Sequence, residues 1–314
     1  MVKKYWFFMG MAVMACIAFA WPEIGTVIKK YNILNAGIFL AFFLTGLSLE
    51  TSSVLVQLKQ IKVLLAALFS SLIFFPVIAY YSGGFFLGAW PDFVMGALII
   101  GVAPVTVASG TVMTAMARGN IALSLFICVL GNFASIITIP FMLNLILQFG
   151  DVSIQLPVVQ MLTGLTLKVL LPTLLGQCLR PAVKHRLLPF TSGISIFNQC
   201  IVLLIILNAV ASSADRIIQV GAVLFLVMGF MVGLHVFILL FNKLLAGLIH
   251  LDLPATAAFT IHTSQKTLTI SYLVWAGYFA AAYPMALIPA IAYHLTQMIM
   301  DTFVAQWFRK QAHS

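Results

Sequence analysis

The sequence predicts an all-α polytopic membrane protein, and three observations lead there. Only 7% of the 314 residues carry a formal charge while 63% are hydrophobic, for a mean hydropathy of +1.13; an ordinary soluble domain is about a quarter charged. The apolar excess falls in stretches of roughly 20 residues, the length that crosses about 30 Å of hydrocarbon as helix. No period-two alternation of the outer-membrane barrel kind is sustained along the chain. A soluble enzyme, a disordered tail and a fibrous protein are thereby excluded.

Ten spans follow in order, near 5–22, 33–49, 62–82, 93–117, 120–148, 158–179, 192–212, 217–242, 254–279 and 283–307. They are separated by turn-like or charged punctuation such as Trp21-Pro22-Glu23, Gly83-Gly84, Arg118-Gly119-Asn120, Gly150-Asp151, Asp215-Arg216 and Leu253-Pro254. The first span has the look of a signal peptide, with Lys3-Lys4, an apolar run and Ala18-Phe19-Ala20. Its removal leaves nine spans and an odd topology, so it is kept as a span. The stretch 51–60, with Leu55 and Leu58 among polar residues, reads as a short interfacial helix.

Charge placement sets the orientation. With a cytoplasmic N-terminus, inside segments hold eleven basic residues, namely Lys3, Lys4, Lys59, Lys62, Arg118, Arg180, Lys184, Arg186, Lys243, Arg309 and Lys310. Outside segments hold Lys29, Lys30 and Arg216 alone. Both termini are therefore expected in the cytoplasm of a multi-pass protein in the plasma (bacterial inner) membrane. The net charge of +9 is a topology signal, because the densest basic cluster, Arg180, Lys184 and Arg186, is too sparse to imply nucleic acid. Cys16, Cys128, Cys178 and Cys200 all lie in apolar stretches without metal-ligand spacing and read as small hydrophobes.

Ten spans divide into five and five, residues 1–150 and 151–314. Five is odd, so a repeated unit enters the membrane inverted the second time, the plan of many secondary transporters. The fourth and ninth spans, at equal ordinal places, hold the two most polar mid-span stretches. In each a serine precedes a threonine by five residues, Ser109 with Thr114 and Ser264 with Thr269, 155 residues apart.

Polar groups in mid-membrane must be paired or line a wet cavity. Ser109, Gly110 and Thr111 after Pro104 suggest a helix that stops and restarts. The alternative is a kinked helix whose hydroxyls bond back to their own carbonyls. A restarted half-helix aims free N–H groups inward and favours anions. In the ninth span His262, Thr263, Ser264, Gln265, Lys266 and Thr267 are six consecutive polar residues. Lys266 is too deep to snorkel and needs carbonyls, carboxylates or an anionic substrate. His294, Gln297 and Asp301 share a face of the tenth span. Asp301 is a candidate charge partner for Lys266 or for Lys168, which lies mid-way along the sixth span; the alternative is that Asp301 meets cytoplasmic water. Ser124 and Asn132 share a face of the fifth span and are candidates to complete a polar pocket, and His235 alone reads as a satisfied packing residue. Phosphate-loop, dinucleotide, zinc-protease and nucleophile-elbow motifs are missing, so ATP-driven transport within this chain is not expected.

At these residues the chain resembles the bile acid:sodium symporter family, and within it the SBF-like branch. The matching pieces are Phe42 to Leu49, Ala103-Pro104 through Ala108-Ser109 to Thr114, Gly131-Asn132, Leu171-Pro172 to Gly176-Gln177, Ser264 to Leu268, and Ile288-Pro289 to Tyr293-His294 and Gln297. The resemblance implies two inverted five-helix repeats, a panel domain on a core domain, broken fourth and ninth helices that cross in the core, an organic-anion substrate and alternating access. It also implies a binding region among Ser109, Gly110, Thr111, Thr114, Ser124, Asn132, His262, Ser264, Gln265, Lys266, Thr267, His294 and Gln297. Two departures stand out. Sodium-coupled members carry a glutamate in the ninth-helix crossover that helps hold two sodium ions, whereas Ile261 to Lys266 has no carboxylate and adds an ammonium. The Ser-Asn pair of the fourth helix reads Ser109-Gly110 and loses an amide ligand. Repulsion between Lys266 and a neighbouring cation amounts to several kcal/mol at an effective dielectric of about 20.

The leading expectation is therefore secondary transport of a small organic anion with Lys266 standing in the sodium site as a tethered cation. Uniport, exchange and proton linkage through Lys266 or His262 stay open, and sodium coupling is disfavoured. No cofactor or resident metal is called for, and the expected surroundings are the lipid bilayer. Oligomeric state and substrate identity are not encoded legibly. The competing expectation is a regulatory or scaffold protein that keeps the fold without transport, with no cavity joining the crossover to either face and no ligand-dependent thermal shift. An intramembrane hydrolase built on His294 and Asp301 lacks a nucleophile beside them.

Overall fold

The computed structural model describes residues 2–49, 60–106, 108–150, 156–187 and 190–312, and among them every regular element is helical. The interfacial helix expected over 51–60 falls, but for Gln60, outside the described residues.

The chain enters through α1 (Val2–Ala20), and α2 (Ile24–Lys30) leaves it at 100° across the Trp21-Pro22 turn. Next comes α3 (Ile33–Ser48). The third span is α4 (Ile61–Leu87), which passes through a π-helical turn at Phe69–Phe74. There the Phe75 N–H reaches back to the Ser70 carbonyl, and the next residue, Pro76, has no N–H to offer Ser71. The fourth span is broken. Its first half, α5 (Pro91–Val102), stops because Pro104 forces Ala103 into an extended conformation (ψ 146°), and α6 (Ala108–Met116) restarts it. The side chain of Asn120 accepts from the Leu123 N–H to cap α7 (Ile121–Phe149).

In the second half, α8 runs as Val158–Leu165, a π turn at Thr166–Leu170, and Leu171–Leu187. It is followed by α9 (Thr191–Ser212). The eighth span, expected as one helix from 217, is interrupted. A short α10 (Ala214–Val220) ends at Gly221, whose φ of +53° is left-handed backbone that glycine adopts freely, and α11 (Val223–Leu248) follows. Asp252 caps α12 (Leu253–Ser264), which stops at extended Gln265 (ψ 150°). The chain resumes as α13 (Leu268–Val274), runs on through a π turn at Trp275–Phe279, and ends with α14 (Leu287–Gln311).

Five of these helices are each long and apolar enough to cross a membrane unaided, and α1 with α2 makes a sixth. The fourth and ninth expected spans fail that measure because each is divided in two. The tenth, α14, has the length but is diluted by His294, Gln297 and Asp301.

The helices form two packing groups, each drawing on both halves of the chain. In one, α1 and α3 pack on α9, and α3 packs along α8. Glycines set that last contact: a Cβ on Gly46 would lie 2.1 Å from the Thr173 carbonyl, and one on Gly176 would lie 2.2 Å from that of Phe43. Such small residues let membrane helices approach backbone to backbone. Gln177 locks the pair by donating to the carbonyls of Gly46 and Leu49. The other group, α4 to α7 with α11 to α14, surrounds the two helix breaks.

Candidate functional site

The two breaks lie against each other. The Thr267 N–H donates to the Pro104 carbonyl at 2.9 Å, tying the extended segment of one break to that of the other. Four half-helix ends therefore converge, and their orphaned carbonyls and N–H groups need partners.

Lys266 satisfies the carbonyls. It is fully buried, and its Nζ donates to Ser71 O, to Gly101 O at 2.8 Å and to Ala103 O at 2.9 Å, with Ser71 Oγ at 3.2 Å and the Phe75 ring centroid at 4.3 Å. The first acceptor is the carbonyl that Pro76 leaves free, and the other two end α5 before Pro104. Three main-chain carbonyls can only accept, and three N–H donors are the complement of an ammonium. A positive charge at a helix C-terminus is also favoured by the helix dipole. Lys266 is thus held by neutral oxygens and an aromatic face, and its carboxylate partnership with Asp301 is not formed. Lys168 does not join the site either: it lies exposed on the π turn of α8.

His262 fills a second nest of oxygens. Its Nε2 lies 2.8 Å from Thr106 O and its Nδ1 against Ser124 Oγ, which in turn accepts from Thr114 Oγ1 at 3.2 Å. Since the Thr106 carbonyl accepts only, the assigned tautomer carries its proton on Nε2, and Ser124 donates to Nδ1. Gly110 makes the room: a Cβ there would sit 2.7 Å from the imidazole. Thr111 is half-buried on the same short helix. Asn132 serves the first break by donating to Val105 O at 3.1 Å, and it lines a separate small apolar pocket with Cys128 and Phe42.

The second break is clamped from α14. Gln297 accepts from the Lys266 N–H at 2.8 Å and donates to the Lys266 carbonyl at 2.9 Å, a reciprocal pair on the backbone of one residue. Its amide nitrogen also lies 3.0 Å from His294 Nδ1. Ser264 Oγ bonds back to Thr260 O and accepts from Asn242. Asp301 is fully buried rather than solvated, and its partner is His235 on α11, with Nε2 to Oδ1 at 2.9 Å. Its other oxygen accepts from Gln265 Nε2 at 2.6 Å, while Gln265 Oε1 accepts from Ser109 Oγ at 2.8 Å. His235, read from sequence as a packing residue, is thus the charge partner of Asp301. His294 and Asp301 do not meet, which removes the arrangement a hydrolase would need.

A cavity of about 80 Å³ opens between the two packing groups, at the first turns of α6 and α13. Of the expected site residues, Ser109, Thr267 and His294 line it; Lys266 does not, because its side chain turns away toward α4 and α5. The remaining polar wall comes from Thr106, Thr269, Thr45, Asn198 and Gln199, with Phe7 and Phe42 as apolar wall. Asn198 and Gln199 were not singled out from sequence; two adjacent amides inside an apolar span were the available signal. The amide oxygen of Asn198 is buried without a hydrogen-bond partner although its nitrogen donates to Thr45. No cluster of three or more His, Cys, Asp or Glu side chains able to hold a metal occurs among the described residues.

With this geometry in place, comparison with known proteins identifies the lineage. A model of the SBF-like CPA transporter family matches residues 5–310. The probable sodium/metabolite cotransporter BASS4 of Arabidopsis thaliana chloroplasts is 27% identical over 310 residues, covering 94% of this chain and 70% of the relative. Its counterpart in Oryza sativa subsp. japonica is 26% identical over 325 residues, covering 97% and 76%. Sodium/bile acid cotransporter 7 of Xenopus tropicalis is 24% identical over 323 residues, covering 96% and 90%. These relatives are transporters rather than enzymes. The chain belongs to the SBF-like CPA transporter family of membrane transport proteins.

Proposed function

We propose that the chain is a secondary transporter of a small organic anion that works by alternating access and carries the tethered ammonium of Lys266 in place of bound sodium. The observation that supports it most is the cavity at the first turns of two restarted helices, where free N–H groups and the positive dipole ends favour an anion. Hydroxyls and amides of Ser109, Thr267, Thr269, Asn198 and Gln199 offer hydrogen bonds without a competing carboxylate. Drug-sized ligands occupy pockets of roughly 300–1,000 Å³. At about 80 Å³ the cavity suits a small solute, and a larger one such as a bile acid requires the group of α1, α3, α8 and α9 to draw back.

The coupling part of the proposal rests on two filled oxygen nests. Three carbonyls of the kind that ligate a cation receive Lys266 Nζ, and the nest of Thr106 O and Ser124 Oγ receives the His262 ring. A sodium ion has neither room nor a carboxylate there, and Lys266 repels it. The relatives' names include sodium, and in this reading the present chain does without it. Ten spans in two inverted halves, with both termini cytoplasmic, complete the reading and draw on the eleven-to-three bias of basic residues.

The test is a thermal-stability screen of purified protein against small carboxylates, sulfonates and bile acids, with sodium or N-methylglucamine, followed by uptake of the stabilising anion into proteoliposomes. Stabilisation and uptake by an anion in sodium-free medium are expected. A protein that responds to no anion, or only when sodium is present, contradicts the proposal.

A further inference from the structure

The seam between the two packing groups holds the cavity at one place and a second recess at another. Along α9 the cavity wall is Asn198, Gln199 and Val202. About 14 Å further along the helix, Ala211, Ser212 and Ser213 line a recess of about 390 Å³. The facing element keeps the same order: the cavity takes Leu268 and Thr269 of α13, and the recess takes Trp275 where α13 runs into its π turn. Lys29 and Arg216 against Asp215 give the recess a net positive charge, the sign that suits the path of an anion. Between cavity and recess the two helices meet at Asn208 and Tyr272. Both are buried, and Asn208 Nδ2 donates to Tyr272 Oη at 3.3 Å. The other amide atom of Asn208 has no partner. Turning the amide over exchanges the two atoms and still leaves one orphaned. On the recess side, Ser213 Oγ donates to Pro284 O at 3.0 Å and Tyr278 Oη to Gln160 O at 3.1 Å, and both bonds also cross from one side of the seam to the other. A permanent contact inside a fold satisfies its buried polar atoms; a contact that is wetted in another state has no such need.

We propose that Asn208 and Tyr272 form the gate between the cavity and the recess of Lys29 and Arg216, which deepens the anion-transport reading and rests on it. When the group of α1, α3, α8 and α9 draws back, the pair parts. Water then reaches the orphaned amide atom and the Tyr272 hydroxyl, and the anion passes between cavity and recess. Closure dries the seam and leaves one amide atom unpaired, a cost that weakens the closed state and keeps it reversible. The polarity of the pair therefore sets how often the gate opens. Removing the hydroxyl alone leaves both amide atoms unpaired and favours opening, whereas removing hydroxyl and amide together leaves nothing to wet and favours closure.

The test follows a cysteine in the cavity wall, Gln199→Cys, in the full chain in proteoliposomes on a background of Cys16→Ser, Cys178→Ser and Cys200→Ser, which leaves Cys128 buried. A membrane-impermeant maleimide is added from the face that bears the recess, identified by labelling of Ser212→Cys. With Tyr272→Phe, a change of one oxygen atom, labelling of Gln199→Cys is expected to speed several-fold over the parent. With Tyr272→Phe and Asn208→Leu together it is expected to fall several-fold below the parent, whereas a packing defect would loosen the seam in both. Ser212→Cys, on the recess side of the gate, is expected to label at one rate throughout. A single variant that labels Gln199→Cys no faster than the parent, or a double variant that labels it no slower, overturns the proposal. No transported solute enters the measurement. Failure here leaves the anion-transport reading standing, and a gate that answers as expected in a protein that moves no anion overturns that reading alone.

Discussion

The two helix breaks are built from opposite materials. The first, between α5 and α6, is made by a proline and presents main-chain acceptors: the carbonyls of Gly101, Ala103, Pro104, Val105 and Thr106 all receive hydrogen bonds from elsewhere. The second, between α12 and α13, has no proline or glycine at residues 265–267 and presents donors: Lys266 Nζ, the Thr267 N–H and, one turn earlier, His262 Nε2. Each break satisfies the other. A buried unpaired polar group costs about 1–3 kcal/mol, so neither is stable alone in a bilayer, and the crossing is one unit of structure made from two distant stretches of sequence. That complementarity also explains the filled oxygen nests, because the donors that neutralise the first break are the groups that occupy its oxygens.

Substitutions break the crossing to different degrees. Lys266→Met has the largest expected effect: three carbonyls lose their donor together, at about 1–3 kcal/mol each, and the thermal midpoint falls further than for any other single change here. Gly110→Ala forces a methyl to 2.7 Å from the His262 ring and costs about 1–3 kcal/mol as overpacking. The double variant with His262→Ala recovers part of that loss, and equal midpoints for the single and double variants would contradict the steric account. Gln297→Leu removes both hydrogen bonds to the Lys266 peptide and costs about 1–3 kcal/mol, at the low end where the peptide shifts to meet Thr267 or water. Pro104→Ala has the smallest effect, below about 1 kcal/mol, because donors from the second break keep the first one open. A cooperative gain of stability there would mean that the proline alone maintains the break. Trp fluorescence during heating of the purified protein reads all four.

Much of this was legible in sequence. The places of both breaks follow from Pro104 and from the polar run 262–267, which have no other use inside an apolar span. The burial of Lys266 follows from the length of that span. Its partners do not, because main-chain carbonyls leave no side-chain signature, and the one from Ser71 is freed only by a π turn followed by Pro76. The pairing of Asp301 with His235 crosses from one helix to another over 66 residues, beyond the reach of periodicity within α14. Lys168 lies mid-way along the sixth span as expected, but it is exposed on the π turn at Thr166–Leu170, a turn that hydropathy does not register. Gly221 interrupts the eighth span through a left-handed φ that hydropathy does not register.

The central claim is that Lys266 stands where a sodium ion would otherwise be held, and a sodium titration of thermal stability addresses it most directly. Wild type and Lys266→Ala are compared in sodium, potassium and N-methylglucamine at constant ionic strength, where a ligand that binds the folded state raises the midpoint by mass action. The account predicts a wild-type midpoint indifferent to sodium and a Lys266→Ala midpoint, lower at the outset, that sodium raises selectively. A wild-type protein stabilised by sodium as strongly as the variant would contradict it.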